Sequence, residues 1–243
     1  MRFDGKVALV TGAAGGIGQA IVAGLRAEGC RVAVTDRDCS ALRAEVRFDG
    51  DLLDGAFCDH LPGRVVETFG QIDLLFNNAG VIPRGDITTQ TDWDFDVAYG
   101  VNVKAPFQLC RAAIPLMATA GGGAIVNTSS CWGLRPGANH PVYVSSKAAV
   151  ASLTQCLGRD HAHQGIRINA VCPNEVDTPM LRSGFEARGL DVQTALADLD
   201  ASVPIGHIAT ADEIADVALF LASDAARYMC GALVEVNGGK PVI

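Results

Sequence analysis

A strand-like run at residues 6–10, KVALV, apolar after its lysine, passes directly into T-G-A-A-G-G-I-G at residues 11–18, and a helical stretch, GIGQAIVAGLRAEG, opens on that turn. A strand this continuously apolar is buried on both faces, which belongs to a parallel sheet. A turn this rich in glycine lets backbone approach whatever sits over the amino terminus of the following helix. The next strand-like run, RVAVTD at residues 31–36, completes a β-α-β unit with a right-handed crossover.

The same rhythm continues through IDLLFNNAG, GGAIVNTSS, IRINAVCP and ALVEVNGG. It predicts an α/β fold: a single Rossmann-type doubly wound domain over residues 1–243, with about seven parallel strands flanked by helices. Gly29, Gly70 and Gly165 punctuate helix ends, and the glycines at 121–123 form a turn before a buried strand. One stretch breaks the rhythm. Residues 177–210 hold two helix-like pieces between Pro179 and Pro204 and follow a strand's carboxyl end, so they are expected to form a small helical substrate lid.

Composition narrows the function. The net charge is −8 with no basic run, which argues against a nucleic-acid or anionic-membrane surface and for a small-molecule partner. The charged amino-terminal residues lead straight into a strand, no apolar stretch is long enough to cross a bilayer, and a cytoplasmic location is expected. Eight cysteines are scattered without C-x-x-C pairs or His at ligand spacing, so reduced thiols and no metal are expected.

In the glycine turn, Gly12, Gly16 and Gly18 are placed to admit a pyrophosphate against unpaired helix N–H groups. Asp36 ends the second strand, where a carboxylate accepts from adenosine ribose hydroxyls and repels a 2′-phosphate. Ala13 and Ala14 bring no base to the turn, whereas the guanidinium of Arg37 can reach a phosphate or stack on adenine. The pattern favours NAD over NADP.

Tyr143 and Lys147 lie four residues apart in PVYVSSKAAV, one helical turn, thirteen residues after Ser130. An ammonium beside a phenol favours the phenolate and is expected to draw the Tyr pKa down toward neutrality. Y-x-x-x-K alone also fits a plain amphipathic helix with a snorkelling Lys; its neighbours give it weight.

These motifs together resemble the short-chain dehydrogenase/reductase family of the roughly 250-residue type. The similarity covers almost the whole chain: T-G-x-x-x-G-x-G at 11–18, N-N-A-G at 77–80, Asn102 in VNVKAPF, Ser130 in NTSS, Y-x-x-x-K, and INAVCP ending in Pro173. The resemblance implies that Ser130, Tyr143 and Lys147 are catalytic, with Asn102 supporting a water that links the Lys to solvent. It implies cofactor contacts at Ile17, Asn78, Ala79, Gly80, Pro173, Val176 and Thr178, adenine near Asp51 and Leu52, and nicotinamide ribose on Lys147. Asn77 reads as a cofactor contact or as an amide tying neighbouring strands. Assembly as a homotetramer or homodimer is implied as well.

The expected reaction is hydride transfer between NAD(H) and a secondary alcohol or ketone, with Tyr143 exchanging the alcohol proton and Ser130 steadying the oxygen. Arg84, Cys131, Trp132, Arg135, His140, Asn174, Glu175 and Arg182 are expected around the substrate. So polar a set suggests a sugar acid, polyol or small hydroxy acid. Asn174 departs from the family, where Gly commonly follows the Pro. One alternative is a dehydrogenase of a cyclic or aromatic secondary alcohol stacked on Trp132. Another is a non-catalytic dinucleotide-sensing protein, although such proteins tend to lose the Tyr or the Lys, and both are retained here.

Overall fold

The computed structural model describes residues 1–240; residues 241–243 of the expected domain lie outside the described residues. In chain order the elements begin β1 (Val7–Thr11), α1 (Gly16–Ala27), β2 (Arg31–Asp36), β3 (Val46–Asp49), α2 (Gly55–Phe69) and β4 (Leu74–Asn77). They continue α3 (Asp92–Tyr99), α4 (Ala105–Thr119), β5 (Gly123–Thr128), α5 (Cys131–Leu134), α6 (Pro141–His161) and β6 (Ile166–Pro173). The last are α7 (Pro179–Glu186), α8 (Val192–Ser202), α9 (Ala211–Ala222) and β7 (Leu233–Val236). A π-helical turn, Gly100–Lys104, joins α3 to α4.

All seven strands are parallel, in the order β3-β2-β1-β4-β5-β6-β7. The chain builds outward from β1 to β3, then returns to lay β4 on the other side of β1. That reversal opens a crevice at the carboxyl ends of β1 and β4, where ligands of such sheets bind. Six of the strands coincide with the apolar runs above. The seventh, β3, buries only Phe48 among its four residues.

Successive strand residues point to opposite faces, and two cores result. Val10, Val34 and Phe76 pack with Ile21 and Leu25 of α1 and with Ile214 and Leu219 of α9. On the other face, Leu9, Leu75 and Ile125 pack with Leu61 of α2 and with Leu109 and Met117 of α4. No described helix is long and apolar enough to cross a membrane.

The stretch 177–210 leaves and returns at one point: Val176 pairs with Ala209 in an isolated parallel bridge, and the Asp177 N–H donates to the Ala209 carbonyl at 2.9 Å. Between them α7 and α8 share a small core of their own, Phe185, Leu196, Val203 and Ile208. It is a separately packed flap over the carboxyl end of β6.

Candidate active site

The crevice holds two adjoining cavities, of about 310 and about 840 Å³, which share Ile17, Asn78, Gly80 and Thr178 as walls. The smaller one lies over the glycine turn and is lined by Gly12, Gly16, Asp36, Arg37, Asp51, Leu52 and Ala79. The larger holds Ser130, Tyr143 and Lys147, with Pro173 and Val176 at the end of β6.

Gly12 has φ +63°, and a Cβ there would lie 2.6 Å from the Ala79 Cα. At Gly16 a Cβ would press on Thr178 at 3.0 Å, narrowing the floor that the two cavities share. Asn78 donates through Nδ2 to the carbonyls of Thr11 (3.2 Å) and Gly12 (3.1 Å), fastening β4 to the turn. Asn77 donates instead to Asn127 Oδ1 at 2.8 Å, a buried tie between β4 and β5. Asp36 braces the turn from the other side by accepting from the Ala14 N–H at 2.9 Å. A cradle of small residues at a helix amino terminus, with the carboxylates of Asp36 and Asp51 on its wall, fits a dinucleotide. Gly18 lines neither cavity, contrary to expectation. It is buried, and a Cβ there would lie 2.1 Å from the Gly12 carbonyl, so its part is close packing of α1 beneath the turn.

At the other end Ser130 caps α5, its Oγ accepting from the Trp132 N–H at 3.1 Å. A Cβ at Gly133 would lie 2.7 Å from the Lys147 backbone, and Ser129 Oγ donates to the Lys147 carbonyl at 2.8 Å. These contacts hold the Ser130 turn against the middle of α6, which carries Tyr143 and Lys147. Lys147 is only 4% exposed; its Nζ donates to the Thr128 carbonyl at 2.7 Å and lies 5.9 Å from the Tyr143 ring centroid.

Burial raises the Tyr143 pKa above its ordinary 10, opposed by hydrogen bonding to Ser130, so the expected drop is absent. The lysine moves instead: burial brings Lys147 down to about 8. The physical reason is desolvation, which penalises the charged form of both groups.

Asn102 is buried inside the π-helical turn. Its Oδ1 accepts from the Val81 N–H at 2.8 Å, while Nδ2 donates to the Val81 carbonyl at 3.0 Å and to Ser146 Oγ at 2.9 Å. One amide thus clasps the strand-end loop after β4 to α6, and π-turns of this kind recur at functional sites.

Arg84, Trp132, His140, Asn174 and Glu175 line the larger cavity. Three expected substrate residues do not. Cys131 is fully buried with its Sγ on the Cys172 carbonyl at 3.1 Å, because as the first helical residue of α5 it faces β6 while Ser130 faces the cavity. Arg135 is held by Glu235 at 2.5 Å, and Arg182 is held by Asp177 at 2.7 Å. The inner face of the flap is formed instead by Leu181, Phe185 and Arg188, at helical spacing. With Ile82 and Leu199 they make the cavity more apolar than the expected set. All eight cysteines are free, and no cluster of ligands suited to a metal exists among the described residues.

A family model described as "Enoyl-(Acyl carrier protein) reductase" matches residues 12–240. Dehydrogenase/reductase SDR family member 6 of Xenopus laevis is 37% identical, with 98% of each chain covered. D-threitol dehydrogenase of Mycolicibacterium smegmatis is 36% identical, covering 99% of this chain and 95% of that protein. The ligand-free aldohexose dehydrogenase of Thermoplasma acidophilum superposes with a TM-score of 0.93 at 30% identity, over 98% of this chain and 94% of that one. The chain belongs to the short-chain dehydrogenase/reductase family. It is a dehydrogenase/reductase of a family whose members use a nicotinamide cofactor.

Proposed function

We propose that this short-chain dehydrogenase/reductase transfers hydride between NAD(H) and the secondary alcohol or ketone of a small polar substrate: a sugar acid, polyol or hydroxy acid. The observation that carries the reading is that Ser130, Tyr143 and Lys147 line one cavity that shares its wall with the glycine cradle. The similarity to a threitol and an aldohexose dehydrogenase supports a polyhydroxy substrate.

The nicotinamide, when bound, supplies the hydride acceptor or donor. The chain handles the proton. Tyr143 takes the hydroxyl proton in the oxidative direction and returns it in reduction, while the Ser130 hydroxyl donates to the substrate oxygen. Lys147, charged below its lowered pKa, stabilises the phenolate that forms on Tyr143. Asn102 positions α6 through Ser146 and the loop through Val81. NAD preference rests on the carboxylate of Asp36 at the rim of the smaller cavity. The flap of α7 and α8 acts as a lid that excludes water.

A cyclic or aromatic alcohol is the second reading, supported by the apolar wall and by Trp132, whose ring stands edge-on to Tyr143 with centroids 6.3 Å apart. An NADH-formation screen across sugar acids, polyols and cyclic diols discriminates the two. Turnover confined to cyclic alcohols would reverse the order. Exposed Trp93, Phe95 and Phe107 on α3 and α4 support assembly into a homotetramer or homodimer, which light scattering checks.

A further inference from the structure

Two arginines that line the larger cavity converge on one residue of the flap, Gly184. Arg84, in the loop after β4, lies along its Cα: a Cβ at Gly184 would be 2.7 Å from Nη2, 2.9 Å from Nε and 3.0 Å from Cζ of that guanidinium. Arg188 reaches the same residue, its Nε donating to the Gly184 carbonyl at 3.0 Å and its guanidinium 5.2 Å from the Phe185 ring centroid. Glycine is a poor helix former, and its place within α7 has a reason in the room it leaves for Arg84.

Both guanidiniums are fixed by backbone rather than by acids. Arg84 Nη2 donates to the Met180 carbonyl at 2.7 Å, and the next residue, Gly85, donates to the Asn139 carbonyl at 3.0 Å, which ties the arginine's loop to the entry of α6. Neither takes part in an ion pair among the described residues. Their neighbour Arg182 does, with Asp177, and the carboxylate of Glu175 in the same cavity is matched by Lys240 at 2.8 Å. Partial desolvation and the charge of Arg188 lower the pKa of Arg84. In a chain of net charge −8, an uncompensated pair of cations at this cavity calls for an anion.

We propose that Arg84 and Arg188 form a subsite for the carboxylate of the substrate. The proposal rests on the reading of this cavity as the alcohol site and narrows it to hydroxy acids and sugar acids. Each guanidinium already uses a donor on a backbone carbonyl, so the pair presents a two-pronged set that suits the two oxygens of a carboxylate. Gly184 is a positioning residue: any side chain there displaces Arg84.

The test is calorimetric titration of the protein, with and without NADH, by gluconate, malate and lactate, with glucitol, methyl lactate and glucose 6-phosphate as comparators. At least one acid is expected to bind about tenfold or more tightly than its uncharged counterpart. Arg84→Gln, Arg188→Gln and Gly184→Val are each expected to lower that acid-to-neutral ratio about tenfold or more. Equal binding of acids and neutral compounds, or a ratio unmoved by the arginine variants, overturns the subsite. Preferential binding of the phosphate ester, lost in the same variants, overturns the carboxylate assignment in favour of a phosphate. Because binding is read without turnover, failure of the NADH screen counts against the dehydrogenase reading and not against this one.

Discussion

Lys147 Nζ stands 5.9 Å from the centroid of the Tyr143 ring and is held there by the Thr128 carbonyl at 2.7 Å. The helical spacing of the two residues puts them on one face, but the end of β5, not the phenol, receives the lysine's hydrogen bond. In the proposed mechanism the ammonium acts on Tyr143 through its charge and not through a hydrogen bond.

That charge is buried, with a pKa lowered from 10.5 to about 8. Below pH 8 folded and unfolded chains both carry the proton, and the cost of burying it is fully present. Between about pH 8 and 10.5 the unfolded chain binds more protons, so stability rises with pH through this window. Lys147→Met is expected to be more stable than the parent at pH 7, by at most about 3 kcal/mol less the lost hydrogen bond. The gap should shrink by pH 9.5 in urea unfolding. A gap independent of pH would show that Lys147 titrates normally.

Replacing Asn102 by Leu removes three hydrogen bonds and leaves the Val81 N–H and carbonyl without their partner. A loss of about 2–4 kcal/mol is expected by denaturant titration, with kcat falling more than cofactor affinity because α6 and the loop lose their common clasp. A loss under about 0.5 kcal/mol would remove the clasp from the account.

Asp36 accepts from Ala14 and from its own neighbour Arg37 at 2.8 Å, leaving its carboxylate at the rim of the smaller cavity. NADH is expected to bind about tenfold or more tightly than NADPH, and Asp36→Ala to erase that preference by weakening NADH and admitting NADPH. Fluorescence titration with the two cofactors decides it; an Asp36→Ala protein that keeps the preference contradicts the assignment.

Arg135 is exposed and paired with Glu235, away from the larger cavity. Arg135→Ala is expected to leave KM and kcat within about twofold and stability within about 1 kcal/mol. A tenfold rise in KM would return Arg135 to the substrate.

Six strands, the sheet's direction and the glycine cradle were legible because each rests on local pattern: apolar runs, β-branched residues, and glycines between strand and helix. The strand β3 was not, since it has four residues and buries one of them. Around the substrate, sequence proximity misled where side-chain direction decides. Cys131 follows Ser130 yet points into β6, and Arg182 is rotated off the face of α7 that carries Leu181 and Phe185. Arg188 had a signal in its place seven residues beyond Leu181, but reading it required knowing which face of the flap looks inward. The pKa of Tyr143 was illegible for a different reason: the spacing reports the neighbouring charge, and burial, which dominates, comes from the tertiary structure.

The most direct test of the whole account is NADH formation by the parent protein and by Tyr143→Phe, run on whichever secondary alcohol the screen selects, with NADH affinity measured on both. The account predicts a fall in kcat of about a hundredfold or more in the variant, with NADH affinity within about threefold of the parent. Substantial turnover by Tyr143→Phe with intact cofactor binding would contradict it.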